Sequence, residues 1–206
     1  MKKMVLLITA FCLLALSLAG MSVVALAQSP DDQVLYSYEG NVTEMDILPV
    51  DLISYVGTPA FFIAEAVKFK APKTNWKVST VQLYGWDGYD GSNESIPSER
   101  IIGLEIRDKD LNLLYKFADS QIPYTNYVRN ATGMYPLTID IPQISVSGEF
   151  YVCFYDRGAI AIASEPLNKT SENSFLYVDN RLLNATLPTS ETTSTPVNWI
   201  MKVTGH

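Results

Sequence analysis

The sequence predicts an all-β protein, an antiparallel β-sandwich behind an N-terminal export signal. Three observations predict it: apolar and polar residues alternate with period two through most of the chain, turn-forming clusters separate those runs, and no amphipathic helical stripe of about twelve residues follows the first 27 positions. Alternation places successive side chains on opposite faces of a strand, so one face can be buried and the other left in water.

The first segment sets the compartment. Lys2 and Lys3 form a positive start, residues 5–24 are apolar and uncharged, and Ala25-Leu26-Ala27 has the small-x-small pattern of a signal-peptidase site. Residues 1–27 are expected to be removed, leaving Gln28 at the mature terminus, 28–33 as a polar leader, and 34–206 as one sandwich domain. Left uncleaved, residues 5–27 are long enough to anchor the chain in a bilayer, the one route to a membrane that the sequence offers. Cys12 follows the bulky Phe11, which argues against lipid modification.

The strands follow in order. Phe61, Ile63, Val67 and Phe69 alternate with Ala64, Ala66, Lys68 and Lys70, and Glu65 interrupts the apolar face. The same rhythm marks residues 34–38, 78–86, 101–107, 113–117, 137–141, 150–155, 159–163, 175–178 and 197–203. Turns are signalled at 71–73, 87–91, 108–110, 146–148 and 156–158 by Pro, Gly and Asp. Residues 187–196, rich in Pro, Ser and Thr, are expected to form an exposed loop.

Composition excludes several functions. All 22 acidic residues lie beyond position 28, against 13 of the 15 basic ones, so the mature chain carries a formal −9. Nucleic acid and anionic lipid are bound through clustered Lys and Arg and are not expected partners. Cys153 is the one cysteine left after cleavage, set in the run Phe150-Tyr151-Val152-Cys153-Phe154-Tyr155 as an apolar filler, so no internal disulfide forms. His206 is the only histidine, which argues against a His-assisted nucleophile or a multi-His zinc site.

Five Asn-x-Ser/Thr sequons, at Asn41, Asn93, Asn130, Asn168 and Asn184, exceed the roughly two that composition alone would give. They mark a glycosylated exterior, and with the short Lys-Lys signal they point to an archaeal cell surface or secreted protein.

The succession Ala66-Val67-Lys68-Phe69-Lys70-Ala71-Pro72, Val81-Gln82-Leu83-Tyr84-Gly85, Leu104-Glu105-Ile106-Arg107-Asp108, Ile141-Pro142 with residues 146–152, and Asn198-Trp199-Ile200-Met201-Lys202-Val203 resembles the jelly-roll modules of secreted microbial proteins. These are similar in layout to carbohydrate-binding and galactose-binding-like domains. The resemblance spans residues 60–205 and implies a jelly-roll sandwich that binds glycan; the fold itself hosts many unrelated activities.

That analogy directs attention to the loop after the 78–86 strand. Tyr84, Trp86 and Tyr89 are ligand-binding candidates there, since aromatic faces stack on sugars, and Asp87, Asp90 and Glu94 could accept sugar hydroxyls or hold calcium as hard oxygen ligands. The alternative is a solvated turn whose aromatics pack back on the sheet. Tyr124, Tyr127 and Tyr135 form a second aromatic group in residues 121–136, either a contact surface or a cover for the open end of the sandwich.

The expected function is a non-catalytic extracellular or cell-surface module that binds glycan or another envelope polymer. A structural subunit of a surface layer, sheath or filament, which would self-assemble, is the alternative. Catalysis would need paired carboxylates from Asp87, Asp90, Glu105, Asp108 and Asp110, as in glycoside hydrolysis, and Asp108 and Asp110 read as ordinary hairpin residues.

Overall fold

The computed structural model describes residues 31–39, 42, 48–50, 62–86, 99–123, 135–157, 160–188 and 193–206. By its contacts the chain divides into 1–32, of which Asp31 and Asp32 are described, and a second unit from Gln33 to His206. The second unit is all-β, with two antiparallel sheets and one principal core whose side chains come from both.

Fourteen strands lie among the described residues: β1 (Gln33–Tyr36), β2 (Leu48–Val50), β3 (Ala64–Lys70), β4 (Trp76–Trp86), β5 (Glu99–Asp108), β6 (Leu113–Pro123), β7 (Tyr135–Val146), β8 (Glu149–Tyr155), β9 (Ala161–Pro166), β10 (Ser174–Val178), β11 (Arg181–Asn184), β12 (Thr186–Pro188), β13 (Ser194–Trp199) and β14 (Met201–Gly205). The six-stranded sheet runs β11-β10-β3-β8-β5-β6. In the eight-stranded sheet β1-β14-β4-β9-β13-β12 form the path, with β7 on β4 and β2 on β9. Among the described residues no helix is long and apolar enough to cross a membrane.

Alternation decides which faces meet. Val67 and Phe69 of β3, Phe150, Val152 and Phe154 of β8, and Leu104 and Ile106 of β5 pack against Val81 and Leu83 of β4 and Ile139 of β7. The opposite face of the six-stranded sheet is covered too: Ala64, Ala66, Cys153, Tyr151 and Tyr177 form a second buried cluster. Small residues on β3 leave room there for the tyrosine rings of β8 and β10, and Tyr151 meets Phe175 edge-on at 6.1 Å. Cys153 sits in that cluster with no exposure, so burial holds its thiol pKa well above the ordinary range.

Two expectations are corrected. The run 197–203 is not one strand: it breaks at Ile200, because β13 pairs with β9 while β14 crosses to pair with β4. Ser37 fastens the break, its hydroxyl donating to the Trp199 carbonyl at 2.6 Å and accepting the Met201 N–H at 2.9 Å. The Asn198 carboxamide donates to the Ser37 carbonyl at 2.7 Å and accepts from Ser174 of the other sheet at 2.6 Å. The segment 187–196 is not wholly a loop either, since Thr186–Pro188 pairs with Ser194–Pro196 as a hairpin. Its lack of apolar rhythm reflects an edge position where, among the described residues of the segment, only Leu187 packs on the core. Gln33, placed in the leader, already pairs with Gly205.

Candidate functional site

The strongest site lies on the outer face of the six-stranded sheet, around Glu105. On β5 the inward residues are Ile102, Leu104 and Ile106, so Gly103, Glu105 and Arg107 share the opposite face. The register sets Glu105 opposite Lys116 of β6 and Cys153 of β8, and Gly103 opposite Tyr155. Cross-strand neighbours are thus charge-complementary on one side and apolar on the other.

Glu105 is only 3 % exposed. Oε2 accepts from Arg107 Nε at 2.8 Å, lies 2.7 Å from Arg107 Nη2, and accepts the Tyr155 hydroxyl at 3.1 Å. Oε1 lies 3.4 Å from Lys116 Nζ. The remaining nitrogen of the Arg107 fork, Nη1, donates to the Leu111 carbonyl at 2.6 Å, and the guanidinium carbon stands 4.6 Å from the centre of the Tyr177 ring. Burial, and then the charge of Glu105, push the Tyr155 pKa far up, so the hydroxyl stays a donor.

Beside this hub opens a cavity of about 180 Å³, lined by Phe62, Gly103, Glu105, Lys116, Tyr155 and Arg157, with Leu104 and Phe117 completing its wall. Gly103 keeps it open: a Cβ there would come 3.3 Å from both Arg157 Nη2 and the Tyr155 ring. Phe62, 61 % exposed, presents apolar surface at the rim. The Arg157 guanidinium lies 5.9 Å from the Tyr155 ring centre, and burial holds its pKa below the ordinary arginine value. One cavity thereby offers an aromatic face, a hydroxyl, two cationic donors and a carboxylate.

The residues singled out from sequence fall elsewhere. Tyr84 is half-buried on the outer face of the eight-stranded sheet, 6.5 Å from Tyr38 and packed on a cluster of Val42, Ala163 and Ile200. Trp86 ends β4 opposite Ala161, and its side chain lies outside the described residues. So do Asp87, Tyr89, Asp90, Glu94, Tyr124 and Tyr127, the side chain of Tyr135, and the sequons at Asn41, Asn93 and Asn130. Asn168 and Asn184 are exposed. Among the described residues no three His, Cys, Asp or Glu side chains are grouped to hold a metal ion.

Of the carboxylates considered for catalysis, Asp108 closes the β5–β6 turn. Its Oδ2 accepts the Asn112 carboxamide and its Oδ1 the backbone N–H groups of Asp110 and Asn112, each at 2.9 Å, and these bonds, the Asn112 side chain first, hold its pKa low. Asp110 pairs with Lys109 at 2.8 Å in solvent. A different carboxylate pair, Glu65 and Asp156, is buried at 1 % and 3 % exposure. Burial, reinforced by Asp156, pushes the Glu65 pKa well up.

Sequence reasoning passed over the Glu105 pocket because its members come from four separate segments. The local signal was Gly103, Glu105 and Arg107 at every second position of a strand whose other face is Ile-Leu-Ile. No family model, curated protein or solved structure matches the chain.

Proposed function

We propose that this chain is a non-catalytic module, exported to the cell surface or beyond, that binds glycan at the Glu105 pocket. The observation that supports this most is the meeting of the exposed Phe62 ring with Tyr155, Lys116, Arg157 and Glu105 around one small cavity. Aromatic faces stack on the apolar side of a sugar ring while charged and hydroxyl groups bond its hydroxyls. At about 180 Å³ the cavity is below the roughly 300–1,000 Å³ of drug-sized sites, which suits one sugar residue or a chain end.

The jelly-roll reading draws support from the strand itinerary. The chain passes from the six-stranded sheet (β3) to the eight-stranded (β4), back to β5 and β6, across to β7, back to β8, across to β9 and back to β10. Export draws on the Lys-Lys and Ala-Leu-Ala features and on the exposed sequons Asn168 and Asn184.

Screening the natively produced protein on a glycan array, with Phe62→Ala and Gly103→Val beside it, tests the reading. Saccharide binding that both variants lose supports it; an array without any binder, or binding indifferent to both, overturns it. Intact mass of the same preparation is expected to start at Gln28 and carry glycan. A chain starting at Met1 without added mass would contradict export and glycosylation.

The structural-subunit reading has one observation in its favour. β6 is eleven residues long, pairs only with β5 among the described strands, and exposes Leu113 and Leu114 at 48 % and 42 %. Such an edge can add a strand from another copy. Sedimentation of concentrated protein decides between them, since a glycan-binding module of this kind is expected to stay monomeric.

A further inference from the structure

We propose that Asn184 carries an N-linked glycan whose first sugar packs on the Phe175 ring, so that the modification fastens the β11 edge of the six-stranded sheet. This rests on the glycosylated-exterior reading above and adds which acceptor is built to hold its sugar.

Strand register puts the two residues together. Phe175 of β10 and Asn184 of β11 are paired directly across an antiparallel ladder. Leu183 packs on the principal core and Leu182 on the outer cluster, so Asn184, two positions beyond Leu182, shares the outer face with Phe175. Such neighbours have Cβ atoms about 5 Å apart, within reach of a sugar bonded to the Asn184 amide. Asn184 is exposed, and Thr186 completes its sequon.

Acceptor and ring are both held in place. Ala185 is fully buried; its N–H donates to the Ser174 carbonyl at 3.4 Å and its carbonyl accepts the Val197 N–H at 3.0 Å, which ties the sequon backbone to both sheets. Phe175 lies opposite the small Ala66 of β3 and meets Tyr151 edge-on at 6.1 Å. It is half-buried, so part of the ring still faces water. Covering that part with the apolar C–H face of a sugar removes it from water and stabilises the folded chain. β11 is the last strand of its sheet, with a ladder on one side only, and gains most from such a fastening. Asn168, the other described acceptor, lies in the bend after β9, outside the ladders that would set a ring beside it.

Glycopeptide mapping and thermal melts of the natively produced protein test this, beside Thr186→Val, which removes the sequon without touching Asn184, and Asn184→Gln. Asn184 is expected to be occupied, and each variant to melt about 2–4 °C lower than wild type, the shift that one aromatic contact makes in a domain of this size. In a Phe175→Leu background the same two changes should lower the melt much less. Made in a host without N-glycosylation, wild type and Thr186→Val should melt together. Glycan found on other sequons with Asn184 bare would overturn the proposal and leave the glycosylated exterior standing. Occupied Asn184 with equal melts, or an equal loss with and without the Phe175 ring, would overturn the packing. A native chain without glycan at any sequon would overturn both.

Discussion

Arg107 holds Glu105 side-on, with Nε and Nη2 at 2.8 and 2.7 Å from the same carboxylate oxygen, two positions along one strand. The pair is nearly out of water, the Glu105 side chain at 4 % exposure and Arg107 at 12 %. Removing one partner leaves the other's charge buried, which typically costs about 3–5 kcal/mol. Arg107→Ala is therefore expected to lower unfolding free energy by about 3 kcal/mol, near the low end because Lys116 and Tyr155 remain on Glu105. Urea denaturation measures it, and a loss below about 1 kcal/mol would mean the pair behaves as a surface bridge.

Glu65 sets a pH dependence of opposite sign to that of an ordinary salt-bridged carboxylate. Its folded pKa lies above the ordinary 4.5, first through burial and then through the charge of Asp156. A raised folded pKa means the native state binds the proton more tightly than the unfolded chain. The associated stability is fully present below 4.5 and is lost as pH rises through the folded value. The contribution of Glu65 to stability is expected to decline as pH rises above 4.5 through the raised folded value, and Glu65→Gln, which keeps the shape without the charge, should flatten that decline. Identical profiles for the two proteins would show that Glu65 ionises at no cost.

How far the sequence reaches can be judged from neighbours in this fold. Phe150, Val152 and Phe154 were legible as a buried face because alternation is a local property. Glu65 was legible as an interruption, but its meaning depends on Asp156, ninety-one positions on and just past the strand paired with its own. Trp199-Ile200-Met201 reads as one strand because nothing local marks the change of partner; the Ser37 hydroxyl that secures it comes from the far end of the chain. The pocket was least legible. Placing Lys116 opposite Glu105 requires the β5–β6 register, which shifts between Ile102 and Leu104 and again between Ile106 and Arg107.

The Ser37 junction has its own consequence. Ser37→Ala removes the acceptor of the Met201 N–H and the donor to the Trp199 carbonyl in a partly buried place. An expected loss of about 1–3 kcal/mol follows from leaving those groups unsatisfied. Thermal melts check it, and an unchanged melting temperature would mean that water replaces the hydroxyl.

Cys153 should be chemically silent in the native state. It has no exposed surface, and burial followed by the charge of Glu105 raises its pKa, so the reactive thiolate is absent at neutral pH. Ellman's reagent is expected to label it only after denaturant is added. Rapid labelling of native protein would mean that the Tyr151 and Tyr177 cover opens.

On the function proposed above, ligand binds on the outer face of the six-stranded sheet. Titrating the ¹⁵N-labelled protein with a saccharide that binds it and following amide shifts locates the contact directly. The largest shifts are expected at Phe62, Gly103, Glu105, Lys116, Tyr155 and Arg157. Shifts confined instead to Tyr84, Trp86 and residues 87–94 would contradict the account and return the site to the loop after β4.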